Sequence, residues 1–183
     1  MNTLFGRARY RRSVTAAAVV AMIAAVSAPA AAHHGHHSLS GKGTMTVSDQ
    51  SVCGPDDCYM VSLDFPAKGG SNNPISATAT GQGMTDPSTC KSKDGSSCCT
   101  TAITLTFTFD QNSTPIAGID CVFAGTECEK PANSPTSAKF KGTLQCMDGT
   151  GEIAGATGSG KLSADVSTGT GEGPASASIH LKK

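Results

Sequence analysis

The sequence predicts an all-β fold, an antiparallel barrel or sandwich of about eight strands stapled by disulfides. Three observations predict it. Apolar and polar residues alternate with a period of two in one segment after another, the pattern of a strand with one buried face. Clusters of Gly, Pro, Asn and Asp separate those segments. Eight cysteines follow an export signal, and such cysteines are expected to be oxidised.

The predicted strands are Leu39 to Ser48, Tyr59 to Phe65, Ile75 to Met84, Ala102 to Asp110, Ile119 to Phe123, Phe140 to Cys146, Gly160 to Val166 and Ala177 to Lys182. The clearest is Ala102 to Asp110, where Ile103, Leu105, Phe107 and Phe109 alternate with Thr104, Thr106 and Thr108. Its apolar set is expected to share one buried face with Tyr59, Val61, Leu63 and Phe65. Phe140, Leu144 and Cys146 repeat the pattern later in the chain. Turns are expected at Gly54-Pro55-Asp56-Asp57, across Lys68 to Pro74, at Asp94-Gly95, at Asn112-Ser113, in the Pro131 to Pro135 loop and at Asp148-Gly149. Residues after Ala32 show no helical stripe.

Residues 1–32 read as a cleaved signal peptide of bacterial type. Arg7, Arg9, Arg11 and Arg12 precede an apolar run from Ala16 to Val26, and Ala28-Pro29-Ala30-Ala31-Ala32 offers small-x-small cleavage sites. The flanking residues suit general secretion better than a twin-arginine route. The protein is therefore expected in the periplasm or outside the cell. Residues 33–43 read as a flexible, His-rich tail and residues 44–183 as a single domain.

Charge narrows the partners. All four Arg lie in the signal, so the remainder carries 10 Lys against 14 Asp and Glu, a net charge of 10 − 14 = −4 with His neutral. A mildly acidic surface without Arg suits neither DNA nor RNA. No second apolar run has the ~18 residues of a spanning helix, so no membrane span is expected after the signal.

The cysteines are Cys53, Cys58, Cys90, Cys98, Cys99, Cys121, Cys128 and Cys146. The reason for bridging them is a thin core. After residue 32 there are no Trp, one Tyr and five Phe, and each bridge adds ~2–4 kcal/mol by restricting the unfolded chain. Cys53–Cys58 and Cys121–Cys128 are expected to pair, because each flanks a short turn-like segment. The neighbours Cys98 and Cys99 are expected to reach two different partners, Cys90 and a distant strand.

Glycine recurs within the last strands, where it permits the sharp coiling that a small barrel needs. The segment Asp148-Gly149-Thr150-Gly151-Glu152-Ile153-Ala154-Gly155-Ala156-Thr157-Gly158-Ser159-Gly160 resembles the glycine-rich segment of exported proteins with the allene oxide cyclase and dirigent type of eight-stranded barrel. The likeness covers about a dozen residues. The usual aromatic of the segment is replaced by Ile153, and the segment matches none of the cyclases' active-site residues to a position in this sequence. The resemblance therefore implies a barrel and no activity.

The strongest functional lead is His33-His34-Gly35-His36-His37. Four imidazoles in five residues, beside a new amino terminus, suit copper, nickel or zinc. A buried copper brace would need a further His from the domain. The one available, His180, stands between Ile179 and Leu181 and is expected to point outward. No nucleophile elbow and no core histidine base are present, so no catalytic residue is assigned. Asp64, Asp110 and Asp120 fall on polar faces. Three readings follow: an exported non-enzymatic protein that binds a transition metal through its tract, a barrel that holds a small apolar ligand or acts as a cyclase, and a structural or surface-interaction protein.

Overall fold

The computed structural model of the protein describes residues 37–49, 58–66, 75–131 and 135–182. Eight strands follow one another: β1 (His37–Asp49), β2 (Cys58–Phe65), β3 (Ile75–Lys93), β4 (Ser96–Gln111), β5 (Thr114–Lys130), β6 (Ser137–Gly151), β7 (Thr157–Ser167) and β8 (Glu172–Lys182). Each pairs antiparallel with the next, and β8 returns to pair with β1. The sheet is thus a closed barrel rather than a sandwich. Closure leaves no strand at the margin of the sheet. The β1–β2, β3–β4, β5–β6 and β7–β8 connections lie at one end, here the upper end. The start of β1 and the end of β8 lie at the lower end.

All eight predicted strands occur, several of them longer than expected. The period of two sets the faces. Ile103, Leu105, Phe107 and Phe109 are buried, as are Val61, Leu63 and Phe65, while Thr104 and Thr106 face outward. All five Phe after residue 32 enter one core with Met45, Leu144, Leu162, Ile179 and Leu181. Thr101 is the one buried polar residue among those described.

The strand glycines explain the tight coiling. A Cβ on Gly81 would collide with the Thr104 carbonyl oxygen, and one on Gly160 with that of Ser178. Any side chain there would push neighbouring strands apart. The β6–β7 turn, residues 152–156, follows Gly151 (φ 61°) and contains Gly155 (φ 77°), both in the left-handed region.

Three expectations need correction. Asp148-Gly149 does not reverse the chain. Asp148 adopts φ 60° and forms an irregularity inside β6, opposite a register shift between Gly118 and Asp120. The boundary at residue 44 is also displaced: β1 begins at His37, because residues 37–43 pair in register with Leu181 to Ala175 of β8. The third correction is Cys121–Cys128. Both lie on β5, 128 − 121 = 7 positions apart. An odd separation puts them on opposite faces, and seven residues of strand span ~23 Å. Each bonds across the sheet instead. Cys121 meets Cys146, its register partner on β6, and Cys128 meets Cys98, its partner on β4.

Cys99 bonds Cys90, as expected. Cys90 belongs to an irregular stretch of β3 where the register shifts between Asp86 and Lys91. There Asp86 accepts hydrogen bonds from the Ser88 backbone N–H (2.9 Å) and hydroxyl (2.6 Å). Those two bonds hold the Asp86 carboxyl below its ordinary range. Asp94 (φ 50°) and Gly95 (φ 72°) close the β3–β4 hairpin as predicted, and Asn112 (φ 50°) and Ser113 (φ 63°) close β4–β5. The expected turns at 54–57 and 68–74 lie outside the described residues.

Candidate functional site at the upper end of the barrel

Four successive strands each send one polar side chain toward the axis near the upper end. Tyr59 of β2 keeps the inward phase of Val61 and Leu63. Thr85 of β3 keeps that of Ala79, Gly81 and Gly83. Thr101 of β4 is in phase with Ile103 and Leu105, and Glu127 of β5 with Cys121 and Phe123. Across the sheet Tyr59 faces Gly83, Thr85 faces Thr101, and Glu127 faces Cys99.

Gly83 makes the cluster possible. A Cβ at this position would fall inside the Tyr59 ring. The ring therefore lies across β3 where a side chain is missing, and its oxygen reaches β4. Tyr59 Oη is 2.6 Å from Thr101 Oγ1. The same ring meets Phe140 edge-on, with centroids 6.1 Å apart and planes at 61°.

Each hydroxyl has one proton, which fixes the direction of the network. Thr85 Oγ1 lies 2.5 Å from Glu127 Oε2, 3.1 Å from Thr101 Oγ1 and 3.4 Å from Tyr59 Oη. A carboxylate is the strongest acceptor of the three, so Thr85 donates to Glu127. Thr101 donates to the Met84 carbonyl at 3.1 Å. Tyr59 then donates to Thr101. Burial, and secondly the Glu127 charge, push the Tyr59 phenol up to about 12, against the opposing effect of its hydrogen bonds to Thr101 and Thr85. A phenol held neutral in this way is a donor and not a base or nucleophile. The arrangement clasps four strands together through their side chains.

The sequence reading found Tyr59 as a core residue and missed Thr85, Thr101 and Glu127. The available signal was phase for Thr101, two residues before Ile103, whereas Thr85 and Glu127 lie one and four residues past the ends of the strands that alternation marks.

The predicted metal tract is only partly described. His33, His34 and His36 lie outside the described residues. His37 opens β1 opposite Leu181. Among the described residues no group of three or more His, Cys, Asp or Glu is placed to hold a metal. His180 is exposed on the outer wall as expected, opposite Ser38 of β1 and Ser159 of β7. All seven described cysteines are in disulfides, Cys58 among them. Its expected partner Cys53 lies outside the described residues.

The middle of the barrel is filled by aromatic and branched side chains. An open depression of about 470 Å³ on the outer wall lies over Gly118, flanked by Thr106, Asp120 and Thr150. Thr106 donates to Asp120 there at 2.8 Å. Among the described residues no helix is long and apolar enough to cross a membrane. No family model matches the chain, and neither a curated protein nor a solved structure matches it.

Proposed function

We propose that this is an exported, non-enzymatic barrel protein whose His33–His37 tract binds a transition metal, copper ahead of nickel and zinc. The observation that carries the reading is the density of imidazoles, four in the five residues that lead into β1. Neutral imidazole is a good ligand for all three metals, and the general order of divalent affinities puts copper(II) first. The disulfide framework suits an oxidising compartment, which is where a signal peptide would deliver the chain. A packed interior suits a rigid carrier of such a tract better than it suits a ligand chamber. The likeness of residues 148–160 to cyclase and dirigent barrels belongs to the same reading, and it brings an architecture without an activity.

Titration of the exported protein with copper(II), followed by calorimetry, tests the proposal. A variant lacking residues 33–36 should lose the strongest site and keep its metal-free thermal midpoint. Affinity should fall as pH drops through about 6.5, where imidazoles protonate and cease to ligate. A deletion variant that bound copper with unchanged affinity would overturn the reading.

A further inference from the structure

We infer that the outer wall made by β6, β7, β8 and β1 is a docking surface for a linear acidic polysaccharide, a chain of sugars that carry carboxylates. The net acidity of the chain conceals an uneven distribution of charge. Asp64 of β2 and Asp120 of β5 are exposed on one side of the barrel. On the other side the strand register sets out a basic wall. One row across the sheet reads Lys141, Ser163, Ser176, Lys42, from β6 to β1. In the next row Lys161 stands between Thr143 and Ser178, and in the third His180 stands between Ser159 and Ser38. Lys42, Lys141, Lys161 and His180 are exposed, and none of these positions is an Asp or Glu.

The nitrogens follow a path. From Lys141 to Lys161, and from Lys161 to His180, each step is one strand across and two residues along. Such diagonal neighbours are about 7–8 Å apart. Lys139 precedes Lys141 by two residues and Lys182 follows His180 by two, so the stripe runs roughly 27 Å along the strands. Lys139 is the member already engaged, 3.2 Å from Asp165. A compact anion needs cations that converge on one point. A stripe with one cation or imidazole at each step suits a polymer with a charge on each unit.

The side chains between the cations favour sugar. They are short hydroxyl residues that let a chain lie close to the wall, and each hydroxyl both donates and accepts. The Ser163 and Ser176 hydroxyls, 2.9 Å apart, lie between Lys141 and Lys42. Other polyanions fit less well. The exposed large apolar residues among those described are Ile75, Met84, Val122 and Met147, none of them on β7, β8 or β1. The wall therefore lacks the apolar side chains that enter a bilayer and the aromatics that stack on bases. A single exposed lysine contributes little to binding. Several lysines on one polyanion act together by releasing its counterions, and that makes the affinity fall with salt.

The test uses a fluorescently labelled oligogalacturonate, a linear uronic acid oligomer, and follows its anisotropy with the exported protein. A chelator is present, so that no metal ion links the probe to the histidine tract. The unsubstituted chain should bind, more weakly at about 200 mM salt than at about 50 mM, and neutral dextran should not compete. Lys141→Gln combined with Lys161→Gln should weaken binding about tenfold at the lower salt and flatten the salt dependence. Lys91→Gln combined with Lys130→Gln removes exposed lysines of β3 and β5, away from this wall, and should leave the affinity unchanged. Both variants should keep the thermal midpoint of the unsubstituted chain, because all four side chains are exposed. No binding at the lower salt, or equal losses in the two variants, would overturn the inference. So would tighter binding to phosphatidylglycerol vesicles, which would assign the wall to a membrane surface. A salt-sensitive dimer in sedimentation that the Lys141 and Lys161 substitutions abolish would assign it to a second copy of the chain instead.

Discussion

The phenol of Tyr59 on β2 reaches the hydroxyl of Thr101 on β4, 2.6 Å away, by lying across Gly83 of the strand between them. Two strands that are not neighbours are thereby joined through side chains. The contact depends on a missing methyl group as much as on the two oxygens.

Gly83→Ala should therefore act at a distance. The new methyl takes the place of the ring, so Tyr59 must leave Thr101. We expect a loss of about 2–4 kcal/mol, combining a displaced aromatic with a broken buried hydrogen bond. Chemical denaturation measures it. A loss no larger than that of Gly169→Ala, where a methyl meets only the Ser167 hydroxyl at 3.8 Å, would contradict the arrangement.

Thr101→Val keeps the shape and removes the acceptor. It leaves the Tyr59 hydroxyl without its partner at a site that is 1% exposed on the Thr101 side. A cost of about 1–3 kcal/mol is expected. Tyr59→Phe should cost less than Thr101→Val, because Phe leaves no donor to desolvate. The reverse order would show that the phenol is satisfied elsewhere.

Tyr59 is the only tyrosine after residue 32, so its ionisation can be followed by tyrosinate absorbance. It should titrate near pH 12 in the folded protein, against 10 ordinarily, chiefly because it is buried and secondly because Glu127 is near. Glu127→Gln should bring it down part of the way. The sign for stability follows from the raised value. The neutral form is favoured in the folded state, so the contribution is complete below pH 10 and is lost as pH rises from 10 through about 12. That slope, ~2–3 kcal/mol in all, should be absent in Tyr59→Phe. Titration near 10 in the folded protein would refute the buried placement.

The disulfides give a chemical check on the register. Peptide mapping without reduction should recover Cys90 linked to Cys99, Cys98 to Cys128 and Cys121 to Cys146. A peptide joining Cys121 to Cys128 would break the assignment of both to β5. Replacing Cys121 and Cys146 together by Ala should cost about 3–4 kcal/mol for a loop of sequence separation 25.

The barrel was legible because its signal is local. Ile103, Leu105, Phe107 and Phe109 announce their face within seven residues, and the other strands repeat the lesson. Disulfide pairing is not local. Cys121 and Cys128 look adjacent in sequence, and only the extension of β5 to Lys130 shows that they face opposite ways. The clasp was hidden for a related reason. Thr85 and Glu127 sit beyond the last apolar residue of their strands, where alternation has nothing left to alternate with. Thr101 looked like one more polar residue at a strand end. Gly83 carries the decisive information as an absence, which periodicity does not register.

The β1–β8 pairing sets a temporal order on the chain. It joins residues 37–46 to residues 172–181, so the ring cannot close until β8 has emerged. Until then β1 carries an open row of amides and carbonyls on that side. The mapped bridges span β3 to β6 and need nothing from β8. The central arc can thus be covalently fixed first, and the last strand arrives to find a preset curvature with a single gap of its own width. That arrangement shortens the time for which an unpaired edge is offered to other chains.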